Sequence, residues 1–432
     1  MPYTTQIKLP LKELLIAESP DEWTFNGAPT RELTHCYHDY PARMIPQVAG
    51  KLLDKFGRGA KLMFDPYCGT GTSLAEAMVR GINAKGTDLN PLARLIAEAK
   101  TSIINRRTLD TEIESFYKHL TRSKSRGNGT PPKEILGITR LGFWFKPQVI
   151  ERLAFLKRYI DDIGNSKVRL FFQVAFSETV RDASNTRSEE FKLYRYDAER
   201  LRRFDPDVFA IMSQKLKRNR NGLEGFLDLI ERLTARPSSN IYDFNTVSGV
   251  PLKKIAPASI DIVITSPPYG DSHTTVAYGQ YSRLSAAWLS LNEPHRIDNA
   301  LMGGKIHKEI PRFPSEQLNQ ALNAILEQDK KRGAEVASFY TDLERSISNI
   351  APLIRAGGHT CYVIGNRKVK GVPLPTDDAI GCFFETHGFV HVDTFHRSIP
   401  NKRMPLKNSP TNAPGVLDST MTREYIVVMR RP

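Results

Sequence analysis

The sequence has 432 residues, 40% of them hydrophobic and 25% charged, proportions ordinary for a globular chain with one large domain and a second region. No segment is long and apolar enough for a transmembrane helix, and the start MPYTTQIKLPLKELLIAESPDEW lacks the basic-then-apolar layout of an export signal, so the expected location is the cytoplasm, with no membrane partner. The net charge of +14 suggests a polyanionic partner, and its distribution is informative: residues 101–240 hold 27 Lys/Arg against 18 Asp/Glu, and residues 395–432 hold 7 against 2, which accounts for the whole excess.

Along the chain, the first clear strand is Lys61-Leu-Met-Phe64. It continues through Asp65-Pro-Tyr-Cys-Gly-Thr-Gly-Thr72 into a helix-favouring stretch, 73–80, closed by Gly81, and a second strand, 83–87, ends on Asp88. This order opens an α/β fold with a Rossmann-like, mostly parallel sheet, in which ligands bind beyond the carboxyl ends of the strands. From 101 to 237 the apolar spacing becomes helical: Val149, Leu153, Leu156 and Ile160 share one face, and Leu223, Phe226, Ile230 and Leu233 another. A polar, charged run, 177–203, lies between them, with a mobile loop expected near 185–190.

Sheet character returns at 239–243 and at 260–265, which leads straight into Ser266-Pro-Pro-Tyr269. A helix with Val336, Phe339, Leu343, Ile347 and Ile350 on one face reaches Gly357-Gly358 and a strand at 359–364. Segments 389–395 and 425–429 form the expected final antiparallel pair, and 401–415, NKRMPLKNSPTNAPG, reads as a basic loop. The expected division is 1–100, the N-terminal segment and first half of the core; 101–237, a mostly helical insertion; and 238–432, the second half of the core. Cys36, Cys68, Cys361 and Cys382 form no Cys-x-x-Cys pair and have no His at zinc-ligand spacing, so neither disulfides nor a structural metal is expected.

Glycines in a strand-to-helix turn let the backbone approach a ligand, a role that Gly69 and Gly71 fit. Taken alone, the turn is equally a structural feature. Asp88 stands about twenty residues on, where a carboxylate accepts from ribose hydroxyls. The chain lacks the Gly-x-x-x-x-Gly-Lys-Ser/Thr run of P-loop enzymes, and Leu74 occupies the position where a dehydrogenase turn has its third Gly or Ala.

The run Asp65-Pro-Tyr-Cys-Gly-Thr-Gly-Thr72 resembles the first motif of S-adenosylmethionine-dependent amino-methyltransferases, and Thr265-Ser-Pro-Pro-Tyr-Gly270 resembles their fourth. The pair is far more specific than either part. His38-Asp-Tyr-Pro-Ala-Arg43 is similar to the segment that precedes the first motif in cytosine-N4 and adenine-N6 DNA methyltransferases and closes over the methionine end of the cofactor. The resemblance covers 35–100, 238–290 and, more loosely, 335–432. It implies S-adenosylmethionine as cofactor, bound by Tyr40, Pro41, Asp65, Pro66, Cys68, Gly69, Gly71 and Thr72, with Asp65 and the two glycines around its amino-acid part. Asp88 is expected on the ribose and Asp243 facing the adenine, although Asp243 also reads as a turn or cap carboxylate. Cys68 reads as a small residue filling the loop, because amine methylation needs no covalent enzyme intermediate.

The resemblance also assigns chemistry to Ser266, Pro267, Pro268 and Tyr269. An exocyclic base amine is a poor nucleophile because its lone pair is delocalised into the ring. Two acceptors on a stiff turn, implied to be Ser266 Oγ and the Pro267 carbonyl, bind both amino protons and free that lone pair for in-line attack. The prolines stiffen the loop and remove competing amides, and Tyr269 offers a ring to stack on a base flipped out of the duplex. Ser at the first position leans towards cytosine-N4 and away from adenine-N6. Tyr278 and Tyr281 are candidates for lining the base pocket.

The implied partner is double-stranded DNA, with a cognate restriction endonuclease as a functional companion. Lys402, Arg403 and Lys407 are the candidate phosphate contacts in the C-terminal loop, and Lys215-Leu-Lys-Arg-Asn-Arg220 is a second, which a solvated helix face explains equally well. Target recognition is expected in 101–237. The alternatives are an adenine-N6 enzyme, an RNA guanine-N2 methyltransferase, or a catalytically silent DNA-binding module.

Overall fold

A parallel sheet covered on both faces needs strands that are apolar on both sides, and successive strand residues point to opposite faces. The computed structural model describes residues 22–123, 132–187, 192–270, 278–291, 297–399, 407–408, 418–419 and 422–432. Its strands are β1 (Leu62–Asp65), β2 (Asn83–Thr87), β3 (Ser239–Tyr242), β4 (Ile260–Thr265), β5 (Ile354–Ile364), a hairpin of β6 (Lys368–Val369) and β7 (Val372–Pro373), β8 (Val390–Ser398), a ribbon of β9 (Lys407–Asn408) and β10 (Asp418–Ser419), and β11 (Arg423–Arg430). The main sheet runs β3-β2-β1-β4-β5-β11-β8. Its first five strands are parallel, and β11 is antiparallel to both β5 and β8. This is the expected Rossmann-like α/β sheet with its antiparallel end.

Helices α1 (Pro46–Phe56), α2 (Thr72–Met78) and α3 (Pro91–Lys100) accompany the first two strands. The interval before β3 holds α4 (Arg106–Ser123), α5 (Leu141–Trp144), α6 (Pro147–Asp162), α7 (Ser166–Ala183), α8 (Ala198–Arg203) and α9 (Val208–Glu231). After β4 come α10 (Tyr278–Trp288), α11 (Ile297–Ala300), α12 (Glu316–Gln328) and α13 (Lys330–Ile350), and α14 (Thr376–Glu385) precedes β8. No helix among the described residues is long and apolar enough to cross a membrane.

The period-two alternation divides the core. Met63, Ile262, Cys361 and Val428 pack on one face with Leu52 of α1 and Leu74 of α2. Phe64, Val263, Tyr362 and Val427 pack on the other with Leu343 and Ile347 of α13 and Phe383 of α14. A third core joins α3, α6, α7, α9 and α10, and it buries the predicted faces of α6 (Val149, Leu153, Leu156, Ile160) and α9 (Leu223, Phe226, Ile230). Leu233 lies just past the end of α9 and is only partly buried.

The structure refines the reading of the polar run and corrects that of the C-terminal loop. The polar run 177–203 begins inside α7, whose Ser177, Glu178, Thr179 and Arg181 are buried. Their polarity is met internally: Ser177 and Thr179 donate to the carbonyls of Val174 and Ala175, each at 2.8 Å, and Glu178 pairs with Lys215 and Arg218. Asn185, expected in a loop, is also buried, with its amide donating to the Trp144 carbonyl at 2.7 Å; residues 188–190 lie outside the described residues. In the C-terminal basic loop, Lys407 and Asn408 instead pair antiparallel with Ser419 and Asp418. Lys402 and Arg403 lie outside the described residues.

Candidate functional site

β1 ends on Asp65, β2 stops one residue before Asp88, and β4 stops one residue before Ser266. All three ends open into one pocket of about 950 Å³ of empty space, its mouth included, at the carboxyl edge where such sheets bind ligands. Tyr40, Pro41, Asp65, Pro66, Cys68, Gly69, Thr72, Asp88, Ser266 and Pro268 all stand in its wall.

The turn between β1 and α2 needs its glycines for different reasons. Gly71 has φ +72°, and a Cβ there would stand 2.9 Å from the Cβ of Ala97, so the turn depends both on the left-handed conformation and on the close approach of α3. Gly69 has φ +49°, but a Cβ on it would meet nothing within 4 Å. Gly69 lines the pocket, so the missing side chain leaves that space to a ligand.

Two carboxylates organise the floor. Asp65 accepts from the Tyr67 amide (3.0 Å), the Thr265 hydroxyl (2.5 Å) and the Ser73 hydroxyl. Burial pushes it up to about 6 in spite of these donors. Asp88 accepts from the amides of Gly69 (2.9 Å) and Asn90 (2.8 Å), pinning the glycine turn to the end of β2, and burial pushes it upward as well. Asn90 caps α3 through the Leu92 amide (3.0 Å) and donates to Tyr40 Oη (2.8 Å) and Ser282 Oγ (2.7 Å), joining the N-terminal segment to α10. Tyr40 stacks on Tyr278, which also lines the pocket. Arg43, in the same wall, donates to the carbonyls of His35 (3.2 Å) and His38 (3.0 Å).

Cys68 is buried, its thiol pushed well above the usual range by burial. A Cβ on Gly86 would come 2.8 Å from the Cβ of Cys68, which suits the expected packing role.

Other expected residues stand elsewhere. Asp243 is outside the wall: its side chain is 70% exposed, with Lys254 3.9 Å away. Phe244, Asn245 and Thr246, the next three residues, line the pocket instead. Their place beyond a carboxyl strand end was available to sequence reasoning; that of Leu301 and Met302, which also line it, was not. Pro267 is buried and, like Tyr269, outside the wall; Tyr269 turns its hydroxyl towards Ser266 Oγ (3.3 Å) and Glu424 Oε1 (2.9 Å). Tyr281 lies outside the wall, under the Arg181 guanidinium and donating to the Asp39 carbonyl. In the run 215–220, Lys215 pairs with Glu178 and Asp182, Arg218 with Glu178, and Arg220 with Asp110 and Glu224, so these three cations are engaged within the protein.

A glycine turn, an acidic end to the second strand and a Ser-Pro-Pro-Tyr loop, meeting in one pocket of a Rossmann-like sheet, define a methyltransferase. No family model matches the sequence. The type II methyltransferase M.MvaI of Kocuria varians is 38% identical over 424 residues, 94% of this chain and 93% of that protein. M.BsoBI of Geobacillus stearothermophilus, also a type II methyltransferase, is 22% identical over 328 residues, 68% of this chain and 60% of its own. Among solved structures, the rRNA methyltransferase aviRa of Streptomyces viridochromogenes aligns over 91% of this chain and 88% of its own, at 11% identity and a TM-score of 0.31.

The chain belongs to the type II methyltransferases, and S-adenosylmethionine is its methyl donor. The wall suits that molecule: it offers carboxylates for an ammonium and a diol, aromatic rings for a purine, the space beside Gly69, and a buried Thr70 hydroxyl with no hydrogen-bond partner.

Proposed function

We propose that this protein is a site-specific DNA methyltransferase that transfers a methyl group to the exocyclic N4 of a flipped-out cytosine in double-stranded DNA, protecting its host within a restriction-modification pair. The observation that carries this reading is Ser266, which follows a buried strand directly and stands in the same pocket wall as Asp65 and Asp88. When bound, the cofactor supplies an electrophilic methyl group on a sulfonium. Asp65, Gly69, Thr72, Pro66, Cys68, Tyr40 and Pro41, all in the wall, hold its amino-acid end, Gly71 shapes the turn from outside the wall, and Asp88 holds its ribose. For the adenine, Phe244–Thr246 replace Asp243 as candidates because they line the pocket. Ser266 Oγ and the Pro267 carbonyl accept the two amino protons and leave the nitrogen lone pair free to attack.

DNA contact falls to the helical insertion and the C-terminal loop. With Lys215, Arg218 and Arg220 engaged internally, a better candidate is the Phe143 ring, flanked by the exposed guanidiniums of Arg140 (5.0 Å) and Arg195 (4.4 Å). Lys402, Arg403 and Lys407 remain candidates for further phosphate contacts.

Transfer from labelled S-adenosylmethionine to mixed-sequence duplex DNA, followed by digestion to nucleosides and mass analysis, tests this reading with Ser266→Ala as control. N4-methylcytosine that disappears in the control is the expected result. N6-methyladenine would overturn the base assignment, and no methylated nucleoside would overturn the DNA reading.

A further inference from the structure

A hydrogen-bonded line runs behind Ser266 to a carboxylate more than 150 residues away. Ser266 Oγ lies 3.3 Å from Tyr269 Oη, and Tyr269 Oη lies 2.9 Å from Glu424 Oε1 across 155 residues of sequence. The other oxygen of Glu424 is 2.8 Å from an Nη of Arg397. Glu424 and Arg397 are register partners on β11 and β8, and their side chains are only 14% and 6% exposed.

The chemistry at the far end fixes the direction of this line. An ionised carboxylate only accepts, so the Tyr269 hydroxyl donates to Glu424. The phenol keeps its proton to give, since burial and the neighbouring carboxylate push it well above its usual range. Its oxygen is then the acceptor for the Ser266 hydroxyl. Ser266 therefore turns its own proton away from the pocket and its lone pairs towards it. Without the carboxylate, Tyr269 could donate to Ser266, and Ser266 would present a proton to an amino group that is itself a donor.

We propose that Glu424 is a positioning residue which, acting through Tyr269, holds the Ser266 hydroxyl as a hydrogen-bond acceptor for the target amine. The inference rests on the reading of Ser266 given above and narrows the substrate: the atom facing Ser266 must carry a proton to donate, as an exocyclic amino group does and an unprotonated ring nitrogen or a carbonyl does not. Arg397 holds the carboxylate in place, with one oxygen towards itself and the other towards Tyr269.

Glu424→Gln tests the proposal at nearly constant shape. With its amide oxygen drawn to Arg397, the glutamine turns an NH₂ towards Tyr269 and reverses the line. The expected result is a roughly 10- to 100-fold loss of kcat for DNA methylation, with KM for DNA and for the cofactor held within about twofold. In a Tyr269→Phe background the same change should have no further effect. A structural role would instead lower the melting temperature, move KM together with kcat, and add fully to Tyr269→Phe. A Glu424→Gln kcat within about twofold of wild type, or full additivity, overturns the proposal. If the lost charge prevents folding, Glu424→Asp takes its place: a carboxylate that still pairs with Arg397 but no longer reaches Tyr269 should lose kcat with KM held, and a kcat within about twofold of wild type overturns the proposal. Wild-type transfer is measured in the same series: an active Glu424→Gln refutes this inference alone, whereas a wild type that methylates no DNA amine refutes the underlying reading as well.

Discussion

Asp65 is held by three donors and yet buried, and the two influences give it a testable dependence on pH. Its folded value, about 6, lies above the ordinary 3.8, so the folded chain favours the protonated form. In the free protein its contribution to stability is full at low pH and is lost as pH rises from about 4 through about 6. A bound ammonium favours the ionised form and so reverses the trend for binding. Calorimetry should find cofactor affinity weaker near pH 5 than near pH 7.5, and Asp65→Asn should flatten the difference. The two glycines should separate in the same assays. Gly71→Ala meets Ala97 and a left-handed backbone, so denaturant melts should register a loss of about 1–3 kcal/mol. Gly69→Ala meets open space, so its stability cost should stay near about 1 kcal/mol while its cofactor affinity falls further, since its methyl group enters the pocket. At this scale the sequence was legible where a residue's place depends on the local chain, as at Asp65, Gly69 and Ser266, which all stand in the pocket wall. It misled at Asp243, because whether a side chain at a strand end faces the ligand or the solvent depends on how the chain turns at the next residue.

Among the elements, α7 shows why composition is a poor guide to burial. A run containing Ser177, Glu178, Thr179 and Arg181 is polar, yet it is buried, and the cations that allow Glu178 its burial come from α9, 37 and 40 residues later. The same pairing takes Lys215 and Arg218 out of contention for phosphates. Lys215→Ala should therefore leave DNA affinity within about twofold at fixed salt, whereas Arg140→Ala/Arg195→Ala should weaken it and reduce the slope of log affinity against log salt by about 1–2. Fluorescence anisotropy across a salt series measures both. Equal losses from the two variants would remove the Phe143 face as the DNA contact. Sequence periodicity did find α6, α9 and α13, since an amphipathic helix carries its own burial pattern whatever it packs against.

At the scale of the whole molecule, Glu178 fastens the helical layer to the N-terminal segment, whose Tyr40 and Arg43 line the pocket. Burial alone would raise its carboxyl, but His38, Arg218 and Lys215 overcome that and hold it at about 2. Its contribution is present above about pH 4.5 and is lost as pH falls from there towards 2. Glu178→Gln should flatten that acid limb in urea melts, and Arg218→Ala should cost about 1–3 kcal/mol at neutral pH by leaving a buried carboxylate with Lys215 as its remaining ion-pair partner. The sheet order was readable in outline, because the strand-turn-helix-strand opening and the apolar runs at 260 and 359 belong to parallel strands buried on both faces. The long-range pairs that hold the layers together were not, since ion pairs between distant helices leave no periodic signal.

β1 lies between β2 and β4, and the hydroxyl of Thr265 reaches the carboxylate of Asp65 across 200 residues of sequence. The nascent chain can therefore form its first hairpin-free βαβ unit early but cannot assemble a working site until β4 has left the ribosome. Cut within the helical insertion, the gene would encode two products, one with the glycine turn and the other with Ser266, neither able to modify a base. If the two pieces can find each other, genome marking would begin only in a cell that makes both, a logical AND already written into the order of the strands.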